Sequence, residues 1–474
     1  MKKGEILTVT ITDYAFEGKG IAKINVDGND DKKLVIFVNK GYPGDTLEVA
    51  ITKYKKTYAE AVVKRILIPS DFRTEPICSY AKYCGGCKQQ DMIYDKQAEY
   101  KQAQVKDIFE RIGGLSNFIF EPIVKADNYF YYRNKMEYSF AVKRWLTNEE
   151  INNNSDIEDR DFALGMHLPN MYDKVLDIKE CFLQSELSNK ILNFTRDYFK
   201  NNGTSIYSTK THEGLLRNLV IRTAYNTKDV MVNLVTSEEN DSLMKNYCEK
   251  LIEVCPEVTT FVNNINIKKA SIAFGDYEKT YFGNGVNYDF IGKYKFRISA
   301  NSFFQTNTKQ AEKLYNVTKN FAEINSKDVV YDLYCGAGTI SIYISESSKK
   351  VYGFETIESA IKDGEINISI NNINNVKLFT ADLNKSFVGL VENNNLEKPD
   401  IIIADPPRSG MNPTTVKDII QLAPSKIVYV SCNPATQARD IKLLIEGGYK
   451  LIKIKPVDMF PHTYHIENVA LLTK

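Results

Sequence analysis

The chain has 474 residues, 43% hydrophobic and 26% charged, and its 61 Lys and Arg against 60 Asp and Glu leave a formal net charge of +1. That length accommodates roughly two to four domains with cores of their own, and the balanced charge excludes a uniformly basic nucleic-acid coat, so any contact with a polyanion must come from local patches. The opening MKKGEILTVTITDY lacks the apolar core of a signal peptide and no apolar run is long enough to span a bilayer, so a cytoplasmic location is expected, with the eight cysteines reduced, metal-bound or catalytic.

Residues 1–66 read as a small β domain. Thr8-Val9-Thr10-Ile11-Thr12 and Leu47-Glu48-Val49-Ala50-Ile51 alternate, Leu34-Val35-Ile36-Phe37-Val38 is a buried run, and glycine-rich turns lie between them. A five-strand barrel of the OB type fits this pattern. Lys53, Tyr54, Lys55, Lys56 and Tyr58 interleave cations with aromatic rings, a composition that grips phosphates and stacks bases but that a solvated hairpin shares. Next come Cys78, Cys84 and Cys87, with Cys181 far downstream, the arithmetic of a four-thiolate site. By spacing alone, zinc and an iron-sulfur cluster are both open. Residues 94–112 are helical, with Tyr94, Ala98, Val105, Ile108, Phe109 and Ile112 on one face and Gly113-Gly114 as the stop. Residues 129–145 form a strand pattern rich in aromatics and bases, among them Tyr131, Tyr132, Arg133, Lys135, Phe140 and Trp145, fit either for RNA contact or for a half-buried sheet. Residues 147–161 are acidic, rich in asparagine and without apolar period, and read as a solvated loop. Strands at 219–222 and 230–234 and a helix over 241–254 follow, with Cys248 and Cys255 as core residues.

From residue 296 the pattern changes to short apolar strands that each end in polar or glycine residues. Residues 329–333 (VVYDL) run into the glycine turn Tyr334-Cys335-Gly336-Ala337-Gly338-Thr339, which opens a helical pattern through Ile340, Ile342 and Ile344. Such a turn lets a cofactor approach the backbone closely. Residues 351–354 (VYGF) deliver Glu355 at about the ~20-residue spacing at which an acid holds ribose hydroxyls, so a nucleoside cofactor is expected. Residues 401–404 (IIIA) deliver Asp405-Pro406-Pro407-Arg408, and residues 427–430 (IVYV) place Cys432 just past a strand's carboxyl end. In an open parallel sheet ligands bind at that edge, which makes Cys432 a candidate nucleophile, with a buried structural cysteine as the alternative.

The ordered set DLYCGAGT, DPPRSG, VYVSCNPAT and DMFPHTYHIENV, preceded by YRNKMEYSF, HEGLLRNLVIR and ISANSFFQTN, resembles the RNA uracil-5-methyltransferase family, and within it the TRAM-bearing, [4Fe-4S]-containing branch that acts on 23S ribosomal RNA. The resemblance implies an α/β protein in three parts: a TRAM barrel over 1–66 as an RNA-binding arm, a central α+β unit over 67–295, and a class I, Rossmann-like methyltransferase unit over 296–474. It implies S-adenosylmethionine as methyl donor, with Gln305, Tyr334, Glu355 and Asp405 as its contacts, and a [4Fe-4S] cluster on Cys78, Cys84, Cys87 and Cys181. The cluster would be structural, since four cysteines leave no iron open and the radical family's C-x3-C-x2-C is absent. His212 and Arg217 also match family positions, without a chemistry that can be derived from them. A monomer acting on 23S ribosomal RNA is expected rather than a transfer-RNA enzyme, because the transfer-RNA branch typically lacks both the barrel and the cluster cysteines.

The chemistry follows from the electrons. Uracil C5 is too weak a nucleophile to attack a sulfonium methyl directly, so a thiolate must first add at C6, and Cys432 is the cysteine placed for it. A base must then take the C5 proton. Glu467, at the start of the last apolar strand, matches the family's base, with His462 and His465 as alternatives by residue type. Amino-group methylation is disfavoured because Arg408, not an aromatic residue, follows the prolines, and cytosine-5 methylation because no cysteine follows residues 401–404. A reading of another class, a non-catalytic iron-sulfur RNA-binding or electron-transfer protein, requires Cys432, Glu355 and Asp405 to be incidental.

Overall fold

The computed structural model describes residues 2–26, 29–152, 160–169, 171–269 and 273–474. At the N-terminus the strands Ile6–Thr10, Asp13–Ala15, Lys19–Val26, Asn29–Asn39, Thr46–Tyr54 and Tyr58–Ile68 make one sheet, in which Tyr58–Ile68 lies antiparallel to Thr46–Tyr54 and parallel to Asn29–Asn39. Alternation along these strands turns Val9, Ile11, Ile36, Val38, Leu47, Val49, Ile51 and Ala61 into one small core. The strand beyond the expected five is Asp13–Ala15, three residues long and too short for a period to show. The buried Asp45 carboxylate takes both Nε and an Nη of Arg73, at 2.8 Å each, and so fixes the barrel to the segment that follows.

The central sheet has seven strands in the order Met171–Asp177, Asp161–Leu168, Lys135–Lys143, Leu216–Thr223, Val230–Thr236, Thr260–Ile265 and Tyr277–Phe282. Helices Glu186–Asn201 and Asp241–Val254 contribute Ile191, Leu192, Phe199, Tyr247 and Leu251 to the core that covers one face, where Cys248 and Cys255 are buried as expected. Of the strand expected over 129–145, Lys135–Lys143 forms, while the residues before it make a turn with Tyr131 at φ 54°. The expected loop after Thr147 begins instead as the short helix Asn148–Asn152. Thr147 N–H donates to Glu150 Oε2 at 2.8 Å and Glu150 N–H to Thr147 Oγ1 at 3.2 Å, a reciprocal cap. The rest of that stretch, 153–159, lies outside the described residues.

The C-terminal sheet contains β1 (Val329–Leu333), β2 (Lys350–Glu355), β3 (Val376–Thr380), β4 (Ile401–Ala404), β5 (Lys426–Ser431), β6 (Lys450–Val457) and β7 (Glu467–Thr473), in the order β3-β2-β1-β4-β5-β7-β6. β1 to β5 are parallel, and β7 runs antiparallel between β5 and β6. Burial on both faces explains why these strands read as continuous apolar runs. The strand order reverses at β1 and β4, which opens a crevice at their carboxyl ends. Two earlier segments join this unit. Ile119–Phe120 adds a parallel strand beside β6, and Val105, Ile108, Phe109 and Leu115 pack into the same core. Helix Tyr94–Asp107 passes there into a π turn, Ile108–Ile112; the wider turn shifts the register, and Ile112, expected on the buried face, is 67% exposed. The hairpin Val286–Ile291 and Tyr294–Ser299 packs Ile291, Phe296 and Ile298 into the core on the sheet's other face. No helix among the described residues is long and apolar enough to cross a membrane.

Candidate active site

Four strand ends converge on the crevice. After β1 the chain folds back through Tyr334 (φ 65°), Gly336 (φ 53°) and Gly338 (φ 71°), and Tyr334 N–H and Cys335 N–H donate to Phe354 O of β2 at 2.9 and 3.1 Å. A Cβ added to Gly336 would meet nothing within 4 Å, so the space over the turn is open. Glu355, the last residue of β2, accepts Gly336 N–H at 3.1 Å through Oε2, and Thr356 and Ile357 N–H at 2.7 and 2.9 Å through Oε1. The acid and the glycine turn paired in the sequence therefore touch. Tyr334 Oη lies 3.4 Å from Thr415 Oγ1. Gln305 is buried, with its carbonyl held by Asn134 Nδ2 at 2.9 Å, and its side chain makes no hydrogen bond among the described residues.

Asp332, on β1, was not singled out by its position in an apolar run. It is fully buried, takes Ser341 Oγ on Oδ2 at 2.6 Å and has no partner for Oδ1 among the described residues. Burial, with a contribution from Glu355 and opposition from Ser341, pushes its carboxyl up to about 7. Asp405, at the end of β4, is likewise raised to about 7 by burial and by Asp332. Glu467 begins β7 and is 6% exposed; burial and then Asp405 hold its carboxyl well above the usual range. Cys432 follows β5, half-buried, and its thiol is pushed up to about 11 by burial, by Glu467 and by Asp405, with Arg408 opposing. Asn433 caps helix Pro434–Glu446 through Ala435 N–H at 3.1 Å and donates from Nδ2 to Arg408 O at 3.1 Å, so the cysteine turn and the Asp-Pro-Pro-Arg turn are tied together. Asp405, Cys432 and Glu467 thus form one electrostatic unit, in which burial and mutual repulsion raise all three groups.

The two histidines differ from that unit. His462 Nδ1 lies 3.2 Å from Gln97 Nε2 and the ring packs on Phe130 at 4.4 Å, with burial and then Lys101 lowering it to about 4. His465 is lowered to about 4 by burial, with Arg408 the first of several cations adding to it. Both are neutral, and His462 is already engaged. Arg217, whose role the sequence left open, donates to Asn266 O and Lys268 O at 2.7 Å and stacks on Tyr207, while His212 Nδ1 lies 3.1 Å from Tyr207 Oη. These contacts fix a loop of the central unit. On the barrel, Tyr54 is exposed and Lys53 Nζ lies 5.8 Å from the centre of the Tyr58 ring.

Cys84, Cys87 and Cys181 pack at the margin of the central core. Cys78 is pushed up to about 11 by burial and then by Cys84 and Cys181, and Cys87 is raised by burial and by the other three thiols. Gly86 N–H donates to Cys84 Sγ at 3.3 Å and Gln90 Nε2 to Cys87 Sγ at 3.6 Å. The four cysteines read from the sequence thus lie near enough for Cys78 and Cys87 to feel the charge of others among them. Among the described residues, however, no three or more His, Cys, Asp or Glu side chains are grouped as the ligands of a metal ion.

A parallel sheet with its reversal at β1 and β4, an antiparallel β7 and a glycine turn facing an acid at the end of β2 define the class I methyltransferase fold. Residues 278–474 match the tRNA (Uracil-5-)-methyltransferase family and residues 1–64 the TRAM domain. An uncharacterized RNA methyltransferase of Chlorobaculum tepidum is 41% identical over 473 residues, 99% of this chain and 96% of that protein, and one of Bacteroides thetaiotaomicron is 41% identical over 463 residues, 97% of this chain and 99% of that protein. The crystal structure of Pyrococcus abyssi tRNA (uracil-54, C5)-methyltransferase in complex with S-adenosyl-L-homocysteine superposes with a TM-score of 0.75 at 28% identity, over 98% of this chain and 100% of that one. The chain belongs to the RNA uracil-5-methyltransferase family.

Proposed function

We propose that this protein methylates C5 of a uridine in 23S ribosomal RNA, using S-adenosylmethionine and a covalent Cys432–C6 intermediate, to give 5-methyluridine. The observation that carries the reading is the convergence of Cys432, Asp405 and Glu467 at the carboxyl edge of the sheet. The open space over Gly336, the Glu355 carboxylate against it, the unpaired Asp332 Oδ1 and the free Gln305 side chain suit a nucleoside cofactor. Gln305, Tyr334, Glu355 and Asp405 would hold it. Bound there, S-adenosylmethionine supplies an electrophilic methyl group.

The residues divide the remaining work. The Asp405–Glu467 pair receives the Cys432 thiol proton and passes it to solvent, so that Glu467 is ionised when it acts as base; the thiolate adds at C6, sending an electron pair to O4 and making C5 nucleophilic. Once C5 carries the methyl, Glu467 removes the C5 proton; the C5–H electrons re-form the C5–C6 double bond and the thiolate leaves. A carboxylate that burial makes unusually basic suits that last step.

Cys78, Cys84, Cys87 and Cys181 are proposed to hold a [4Fe-4S] cluster. The donors would suit it: N–H groups are aimed at Cys84 Sγ and Cys87 Sγ, burial and then the other thiols raise Cys78 and Cys87, and four thiolates are the ligand set such a cluster takes. The barrel serves as an RNA-binding arm of a cytoplasmic monomer. A second substrate, transfer RNA, is favoured by one observation. The solved relative that covers 98% of this chain is a tRNA enzyme, so the barrel region does not by itself separate the two RNAs. The test supplies S-adenosylmethionine with a labelled methyl group and unmodified transcripts of 23S and transfer RNA, and quantifies 5-methyluridine in each by mass spectrometry. Product in the 23S transcript supports the reading, product in transfer RNA alone moves the substrate, and product in neither rejects it.

A further inference from the structure

The loop between β6 and β7, residues 458–466, carries no residue assigned above to substrate, yet it leads directly into Glu467. It is held from outside the C-terminal sheet by a polar row on helix Tyr94–Asp107. Gln97, fully buried, accepts His462 N–H on Oε1 at 2.8 Å, and its Nε2 contacts His462 Nδ1, Gln89 O and Met92 O at 3.2, 2.9 and 2.7 Å. One turn later Lys101, also buried, donates to Asp458 Oδ1 at 2.7 Å and to Phe460 O at 3.0 Å. Gln97 and Lys101 are four residues apart and therefore share a helix face. The cysteine segment, itself bonded to Gln97 through Gln89 O, grips the same loop: Lys88 N–H and Gln89 N–H both donate to His462 O, at 2.8 and 3.0 Å. These two residues directly follow Cys87, and Gln90 binds Cys87 Sγ.

We propose that Gln97 and Lys101 are positioning residues that, with the segment anchored at Cys87, hold the 458–466 loop so that Glu467 reaches the C5 proton. The inference rests on the reading of Glu467 as the base. It gives the four-cysteine site a task, the anchoring of one side of this brace, that requires no redox chemistry. It also explains why His462 sits at φ 65°: the left-handed turn exposes both its N–H and its carbonyl to the brace.

The brace predicts a failure different from that of a generally weakened fold. In Gln97→Leu, addition and methyl transfer continue while proton removal slows, so product formation falls by about a hundredfold and a denaturation-resistant protein–RNA adduct accumulates, as it should in Glu467→Gln. The RNA is whichever unmodified transcript, 23S or transfer, the wild-type protein labels. The second readout is amide hydrogen exchange of residues 458–467 in the metal-loaded protein without RNA, which should rise by about tenfold while the sheet strands keep their protection. Should Gln97→Leu fail to fold, the double variant Lys101→Met with Asp458→Asn removes both buried charges together and frees the same loop. Unchanged exchange in the folded variant overturns the proposal. So does faster exchange without adduct when Glu467→Gln does trap one. If Glu467→Gln traps nothing, the base reading fails on its own, and the exchange result still decides the brace.

Discussion

Replacing Asp405 with Asn should stabilise the ligand-free protein, and only above acid pH. The Asp405 carboxyl is raised from 3.8 to about 7, first by burial at the end of β4 and then by Asp332. A group whose folded-state pKa exceeds its unfolded value adds most stability below the unfolded value, where both states hold the proton. As pH rises from 3.8 towards about 7 the unfolded chain releases that proton and the folded chain keeps it, so stability falls; above about 7 the loss is complete. At about 1.4 kcal/mol per unit, a shift of roughly three units is worth about 4 kcal/mol. An amide cannot ionise, so the variant escapes the loss, and it also relieves the repulsion on Glu467. Urea denaturation followed by far-ultraviolet circular dichroism at pH 5 and pH 8 measures the effect. The variant should exceed the wild type by about 1 to 2 kcal/mol at pH 5 and by about 4 kcal/mol at pH 8. A gap independent of pH, or a variant less stable at pH 8, would refute the electrostatic account of the site. Enzymes commonly trade stability for a strained polar site in this way, and the same variant should be inactive.

Cys432→Ala should form neither adduct nor product while binding S-adenosylmethionine with unchanged affinity on calorimetry, because the thiol is required only for addition at C6. In the wild type, alkylation of Cys432 by iodoacetamide should be slow at neutral pH and rise towards about 11, as its raised thiol pKa requires; mass-spectrometric rates at three pH values check this. Glu355→Ala should weaken S-adenosylmethionine binding by about 1 to 3 kcal/mol on calorimetry, since it would leave Gly336 N–H and the ribose hydroxyls that Glu355 is proposed to hold without an acceptor. Anaerobically purified protein should be brown with about four irons per chain, and Cys87→Ser should lower that content; stoichiometric zinc without iron would replace the cluster with a zinc site.

The C-terminal sheet was legible because strands buried on both faces read as continuous apolar runs and their carboxyl ends are marked by polar residues. That is how Cys432, Glu355 and Asp405 came to one edge in the sequence and in the fold. Asp332 escaped notice for the same reason: inside VVYDL it reads as one polar residue on a strand, and nothing local shows that one of its oxygens has no partner among the described residues. What sets the histidines apart from Glu467 was not legible from residue type, since Gln97, Phe130, Lys101 and Arg408 reach them from elsewhere in the chain. Short pieces were lost for want of length. Asp13–Ala15 and Ile119–Phe120 have too few residues for a period, and the helix Asn148–Asn152 is announced only by its Thr147–Glu150 cap. The spacing singled out four cysteines, whereas the contact of the residues after Cys87 with the loop before Glu467 could be seen only once Lys88 and Gln89 were placed against His462.

The strand Ile119–Phe120 has a consequence for how the chain is made. During synthesis it emerges together with helix Tyr94–Asp107 well before its partner, Lys453 and Ile454 of β6, has been added. The barrel can close as soon as it is complete, because its strands are neighbours in the chain, but Val105, Ile108 and Phe109 have no sheet to pack against until translation is nearly over. For that interval an apolar helix face waits in the open, which is when a nascent chain is most exposed to aggregation and most dependent on a chaperone. A protein cut before β6 would retain a foldable barrel and keep that face unsheltered for good.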